Sequence, residues 1–134
     1  MKLKLHRPIC FFDIEATGIN IGKDRIIEIS ILKIFPHESQ EEKTWLIYPE
    51  IPIPPQSTAI HGIKDEDVAG KLKFKDVASS IFKMIENTDL AGYNSNRFDI
   101  PILAEEMLRA GMSFDIKKHK TIDVQVIFHK MEPR

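Results

Sequence analysis

Two carboxylates one residue apart, at the end of an apolar run, carry the clearest chemical signal in this chain. They are Asp13 and Glu15, within Phe11-Phe12-Asp13-Ile14-Glu15-Ala16-Thr17-Gly18. Side chains alternate along a strand, so Phe11, Asp13 and Glu15 share one face while Cys10, Phe12 and Ile14 share the other. With apolar residues on both faces, the run from Pro8 predicts a central strand buried on both sides. Two acids at the end of such a strand repel each other and lose hydration unless a cation compensates. Carboxylate oxygens favour a hard divalent cation such as Mg2+ or Mn2+. A second polar stretch, Gly92-Tyr93-Asn94-Ser95-Asn96-Arg97-Phe98-Asp99, puts Asp99 at the start of a predicted helix. That position lies just past a strand end, where open α/β sheets bind ligands. Taken by itself, Asp99 is better explained as a capping aspartate favoured by the helix dipole, with Asn94 and Asn96 as turn or cap residues.

The elements that must position these groups follow from periodicity. After the first strand, residues 19–24 read as a polar loop. Arg25 to Phe35 reads as a second strand in which Ile27, Ile29 and Ile31 alternate with Glu28 and Ser30. Glu42 to Tyr48, with Trp45, makes a third, so the three strands form an antiparallel meander. Pro49, Pro52, Pro54 and Pro55 then impose an extended connection. Asp65 to Asp67 opens a short helix, and Phe74, Val77, Ala78, Ile81, Phe82 and Ile85 mark a longer amphipathic one. Asp89 to Tyr93 predicts a fourth strand. A helix from about Phe98 to Ala110 follows, apolar at Ile100, Leu103, Ala104, Met107 and Leu108. Pro101 suits its first turn and Gly111 its C-terminal cap. Lys120 to Asp123 predicts a fifth strand, and Val124, Ile127, Phe128 and Met131 begin a third helix. The expected architecture is α/β, a mixed five-stranded sheet (three antiparallel strands, then two parallel) flanked by helices.

Size allows one domain over residues 1–134, with a hydrophobic fraction of 43% and a charged fraction of 29%, ordinary for a soluble protein. Cys10 is the only cysteine, so an internal disulfide and Cys-based zinc sites are excluded, and a reducing cytoplasm fits. No apolar stretch approaches a membrane span, and the Met-Lys-Leu-Lys start lacks a signal-peptide core behind it. A net charge of −1 argues against a module whose affinity rests on a broad phosphate-binding surface. It leaves room for a small nucleic-acid site whose positive field comes from metals and local cations.

The ordered pair D-I-E-A-T-G at 13–18 and N-S-N-R-F-D at 94–99 resembles the first two motifs of the DEDD exonuclease superfamily, D-x-E-x-T-G and N-x-x-x-F-D. His61-Gly62-Ile63 between them is similar to a stretch of the DnaQ-like branch, that of the DNA polymerase III epsilon subunit. The resemblance implies a ribonuclease H-like fold and 3′–5′ hydrolysis of nucleic acid with two divalent metals, Mg2+ or Mn2+. By matching positions it implies Asp13, Glu15 and Asp99 as catalytic metal ligands. It also implies Ala16, Thr17, Gly18, His61, Asn94 and Phe98 as substrate-binding residues. The implied partners are single-stranded or 3′-terminal nucleic acid, DNA favoured over RNA, and a DNA polymerase, with no membrane. Two metals about 3.5–4 Å apart activate a water and stabilise the leaving 3′ oxygen in such chemistry.

The family's third motif, a His followed five positions later by Asp, is not in these residues. His119 is followed at that spacing by Val124, His129 by Arg134, and His61 by Glu66 in the wrong order. The expectation is an exonuclease domain incomplete at its C-terminus, lacking its general base and last metal ligand. The alternative is a non-catalytic relative that binds nucleic acid or a polymerase.

The remaining candidates have plainer readings. His61 either contacts a terminal nucleotide or caps the short helix after it. Tyr93 and Phe98 read as core residues before base-stacking platforms. A tight turn at Thr17 and Gly18 would bring backbone amides to a terminal nucleotide. Asp123 reads as an N-cap, Glu28 has no assigned catalysis, and the lysines at 71, 73, 75, 117, 118 and 120 read as solvated faces. The 134-residue chain is therefore expected to bind Mn2+ weakly through Asp13 and Glu15 while hydrolysing little nucleic acid. Robust metal-dependent turnover by the purified chain would overturn that expectation.

Overall fold

The computed structural model describes residues 6–92 and 98–123. Strands β1 (Ile9–Ala16), β2 (Ile26–Ile34) and β3 (Gln40–Leu46) form the expected antiparallel meander. Helices α1 (Pro55–His61), α2 (Asp65–Val68) and α3 (Phe74–Ile85) lead to β4 (Asp89–Gly92), which pairs parallel with β1. Helix α4 (Ile100–Arg109) and a 3-10 turn (Ile116–Lys118) then precede β5 (Thr121–Asp123). The sheet order is β3-β2-β1-β4-β5, which puts β1 at the centre. Its body is four strands. The short fifth strand expected around Lys120 to Asp123 is a three-residue edge segment parallel to β4. The predicted third helix at 124–131, with Tyr93, Asn94 and Asn96, lies outside the described residues.

The core explains why β1 is central. Cys10, Phe12, Ile14 and Ala16 are buried together with Ile29 and Ile31 of β2, Leu90 of β4, and the apolar faces of α3 and α4. The opposite face of β1 differs from expectation: Phe11 and Glu15 are half-buried and Asp13 is exposed. Both long helices described here pack against one side of the sheet, so the other side keeps contact with water.

Two departures from simple periodicity matter for the site. A β-bulge between Glu15 and Ala16 moves the pairing from Glu15↔Glu28 to Ala16↔Ile26. Ile26 therefore joins the main core, while Ile27 turns to a second, smaller cluster with Ile53 and Val68. The proline-rich connection is not wholly extended either. Pro55 opens α1, because its fixed φ suits a first helical turn, and Gly62 at φ 77° closes it. Asp67 then accepts the Lys64 N–H at 2.9 Å to start α2, and Asp76 accepts the Lys73 N–H at 3.1 Å to start α3.

On α4 the apolar face also shifts. Ile100, Ile102, Leu103 and Met107 are buried, whereas Leu108 is 70% exposed and the buried stripe includes Glu106. At the sheet edge, β3 turns Gln40 to Thr44 out to solvent. Leu103 is fully buried between α4 and the sheet. Leu103→Ala should cost about 2–5 kcal/mol in chemical denaturation, the usual range for a leucine cavity. A loss below about 1 kcal/mol would show that the helix does not seal this core.

Candidate active site

Asp13 and Glu15 emerge on the same open face of β1, as alternation requires. Glu15 stands opposite Glu28 across the antiparallel ladder, so three carboxylates share this patch of sheet. Burial pushes the Glu15 carboxyl above its ordinary range, and the charge of Asp13 pushes it further. His61 pulls it back, and Glu28 adds a smaller upward push.

Asp99 is 5% exposed, immediately before α4, and makes no capping hydrogen bond to that helix. The capping reading is thereby corrected. A Cβ added to Gly92, at the end of β4, would lie 3.4 Å from Asp99 Oδ2 and 2.8 Å from the Phe12 carbonyl oxygen. The first distance is ordinary van der Waals contact and the second a clash, so the bare glycine is required by the close approach of the Phe12 backbone, with Asp99 packed beside it. Even so, no three His, Cys, Asp or Glu side chains converge closely enough among the described residues to hold a metal. Asp13 and Glu15 are brought together on one face, with Asp99 at their flank.

Two concavities meet at the carboxylate pair. One of about 340 Å³ runs along the open face past Phe11, Asp13, Ser30, Leu32 and Gly92. The other, about 130 Å³, is walled by Glu15, Ala16, Gly18, His61 and Phe98, with Ile19 and Ile60 exposed at its rim. Four of the residues expected to bind substrate, Ala16, Gly18, His61 and Phe98, thus line one cleft beside Glu15. Asn94 lies outside the described residues.

His61 closes α1, and its Nδ1 accepts the Ile63 N–H at 3.1 Å. It therefore does not cap α2, which Asp67 starts. With Nδ1 accepting, the neutral ring carries its proton on Nε2. That atom is buried and has no hydrogen-bond partner among the described residues.

Thr17 has a different task from the one expected. Its N–H donates to the Arg25 carbonyl at 2.9 Å, and its hydroxyl donates to Asp24 Oδ1 at 2.8 Å and accepts the Arg25 N–H at 3.0 Å. The Thr17 carbonyl accepts from Ser57 Oγ at 2.6 Å. Fully engaged within the fold, Thr17 locks the β1–β2 loop and offers no amide to a nucleotide. Gly18 is small because Asp24 packs on it: an added Cβ would come within 2.5 Å of Asp24 Oδ2.

Sequence reasoning missed Glu106, which is 1% exposed and joins α4 to Arg25 and Ile26. Its signal was spacing. Glu106 follows Leu103 by three residues and Ile102 by four, which puts it on the buried stripe. Asp123 ends β5 opposite Gly92, and the helix it was expected to cap lies outside the described residues.

The mixed sheet, with its central strand presenting paired acids beside a cleft, has the α/β architecture of the ribonuclease H-like fold. The Exonuclease family matches residues 10–134, and the chain belongs to that family. DNA polymerase III subunit epsilon of Treponema pallidum (strain Nichols) is 31% identical over 134 residues, covering 96% of this chain and 60% of that protein. Exonuclease I of E. coli in complex with a dT13 oligonucleotide superposes with a TM-score of 0.81 at 18% identity, over 93% of this chain and 29% of that one. A zinc-bound form of the E. coli exonuclease I complex with single-stranded DNA gives the same TM-score and identity over 94% and 30%. The chain thus spans about three fifths of the length of the Treponema relative and less than a third of exonuclease I.

The raised Glu15 pKa carries a testable sign. A carboxyl whose folded pKa exceeds its unfolded value takes up protons on folding, so it subtracts stability as pH rises through that interval. In metal-free protein, Glu15→Gln should leave thermal stability unchanged at pH 3 and raise it at pH 7. A melting temperature lowered at pH 7 would contradict the repulsion described.

Proposed function

We propose that this chain forms the metal-binding and 3′-end-binding part of a 3′–5′ exonuclease acting on nucleic acid, DNA in preference to RNA. The observation that carries the reading is the Asp13–Glu15 pair on one face of β1, with Glu15 lining the cleft walled by Ala16, Gly18, His61 and Phe98. The donor set suits the cations proposed. All three acids offer oxygen alone, which favours Mg2+ or Mn2+, and Asp99 packs beside Gly92 at the end of β4. Asp13, Glu15 and Asp99 would hold the ions, which supply Lewis-acid stabilisation of a phosphodiester and an activated water.

The chain's own residues do the positioning. Burial first, and the charge of Asp13 second, raise the Glu15 pKa, so a cation bound there would offset the cost of its ionised form. His61 Nε2–H is a buried donor at the wall beside Glu15, placed to hydrogen-bond an oxygen of a terminal nucleotide. Phe98, Ile19 and Ile60 give the cleft an apolar lining against which a base packs without regard to its hydrogen-bonding edge. DNA is favoured because the relatives named above belong to DNA polymerase III and to an exonuclease bound to DNA oligonucleotides. A replicative polymerase is the proposed partner and the cytoplasm the proposed location. No helix among the described residues is long and apolar enough to cross a membrane.

The alternative reading is a non-catalytic module that grips a 3′ end or a polymerase. One experiment separates the two readings. With Mn2+, 5′-labelled single-stranded DNA should bind about tenfold tighter with a free 3′ hydroxyl than with a blocked end, a difference of about 1.4 kcal/mol. Asp13→Asn should abolish that preference. Any hydrolysis should shorten the strand from its 3′ end in one-nucleotide steps. Binding indifferent to the 3′ end, or shortening unaffected by Asp13→Asn, would refute the exonuclease assignment.

A further inference from the structure

Glu106 lies on α4, seven residues or about two turns after Asp99, with its carboxylate 1% exposed. Its two oxygens reach different groups. Oε1 accepts from Arg25 Nε at 2.9 Å and from Arg109 Nη1 at 3.4 Å. Oε2 accepts the backbone N–H of Ile26 at 2.9 Å. Ile26 is the residue facing Ala16 across the β-bulge, immediately beyond Glu15. Arg25, held by the same carboxylate, accepts the Thr17 N–H at its carbonyl and donates its own N–H to the Thr17 hydroxyl on the far side of that bulge. Arg109, one turn along α4, extends the clamp by donating to the Gly22 carbonyl at 2.9 Å.

One buried carboxylate therefore joins the helix that starts at Asp99 to the point where β1 leaves Asp13 and Glu15. A helix is stiff over two turns, so fixing Glu106 against the bulge fixes the approach of Asp99 to the strand. The described acids stop short of convergence on their own.

We propose that Glu106 is a positioning residue for the carboxylate site, setting the placement of Asp99 relative to Asp13 and Glu15 through the Arg25–Ile26 clamp. The proposal rests on reading those three acids as divalent-metal ligands. A purely structural ion pair would behave differently: its loss would lower the melting temperature and leave metal affinity unchanged in protein that is still folded.

The test is an Mn2+ titration followed by electron paramagnetic resonance, well below the melting temperature, on the wild type, Glu106→Gln and Asp13→Asn. Glutamine keeps an acceptor for the Ile26 amide but loses the charge that holds Arg25 and Arg109. Mn2+ affinity should fall about tenfold or more in Glu106→Gln, as it does when groups supporting metal ligands are removed. Should that variant not fold, amide exchange in the wild type decides the matter. Coupling is reciprocal, so saturating Mg2+ should slow exchange at the Ile26 amide by about fivefold or more. Unchanged Mn2+ affinity in folded Glu106→Gln, or Ile26 exchange indifferent to Mg2+, overturns the positioning role alone. Mn2+ affinity indifferent to Asp13→Asn overturns the ligand assignment, and the positioning role with it.

Discussion

Setting two carboxylates on one face of a central strand works against folding, because Glu15 loses water and the charge of Asp13 repels it. In this protein the penalty is met on the other side of the same strand. Cys10, Phe12, Ile14 and Ala16 are buried without a break against α3 and α4. Burial of that kind is worth about 25 cal/mol per Å2 of apolar surface, enough over a whole strand face to outweigh a partly exposed charge pair. The strand is divided by face: one half of its side chains holds the fold together, and the other half presents an acidic pair that works against it.

The loop between β1 and β2 shows how the strained end of the strand is kept in register. Thr17, Asp24 and Asn20 close it from within, and Ser57 of α1 pins it from outside. Glu106 and Arg109 hold it from α4. Each contact is polar and most are sheltered from bulk water, where hydrogen bonds are strong when complete and costly when one partner is missing. The cleft beside Glu15 thus has a wall of fixed geometry, even though it is built largely from loop and helix ends.

Periodicity and motif spacing made much of this legible in the sequence. The stripe from Phe74 to Ile85, the alternation through β1 and β2, and the pairing of two acidic motifs are local patterns that survive into the fold. What was not legible depended on partners distant in sequence. Prolines 54 and 55 look like breakers until the chain supplies Gly62 to end the helix that Pro55 begins. The spacing of Glu106 puts it on a buried stripe, but what offsets its charge is visible only once Arg25, far away in sequence, is placed against it. The one-sided exposure of β1 also escaped, because apolar residues on both faces of a strand do not say which layers of helix cover them. Thr17 illustrates the same limit: its motif position suggested contact with a ligand, while its four hydrogen bonds are all internal.

The outer margin of the sheet has a consequence of its own. Strand β3 presents Glu41, Glu42 and Lys43 to solvent beside an open row of backbone donors and acceptors. A second copy adding itself along that margin would have to bring ionised side chains into register beside one another and strip their water. Negative charge in this strand therefore acts as a guard against runaway strand addition, a common route by which an open sheet is lost to fibres. Colloidal behaviour, as much as folding, is written into those few exposed positions.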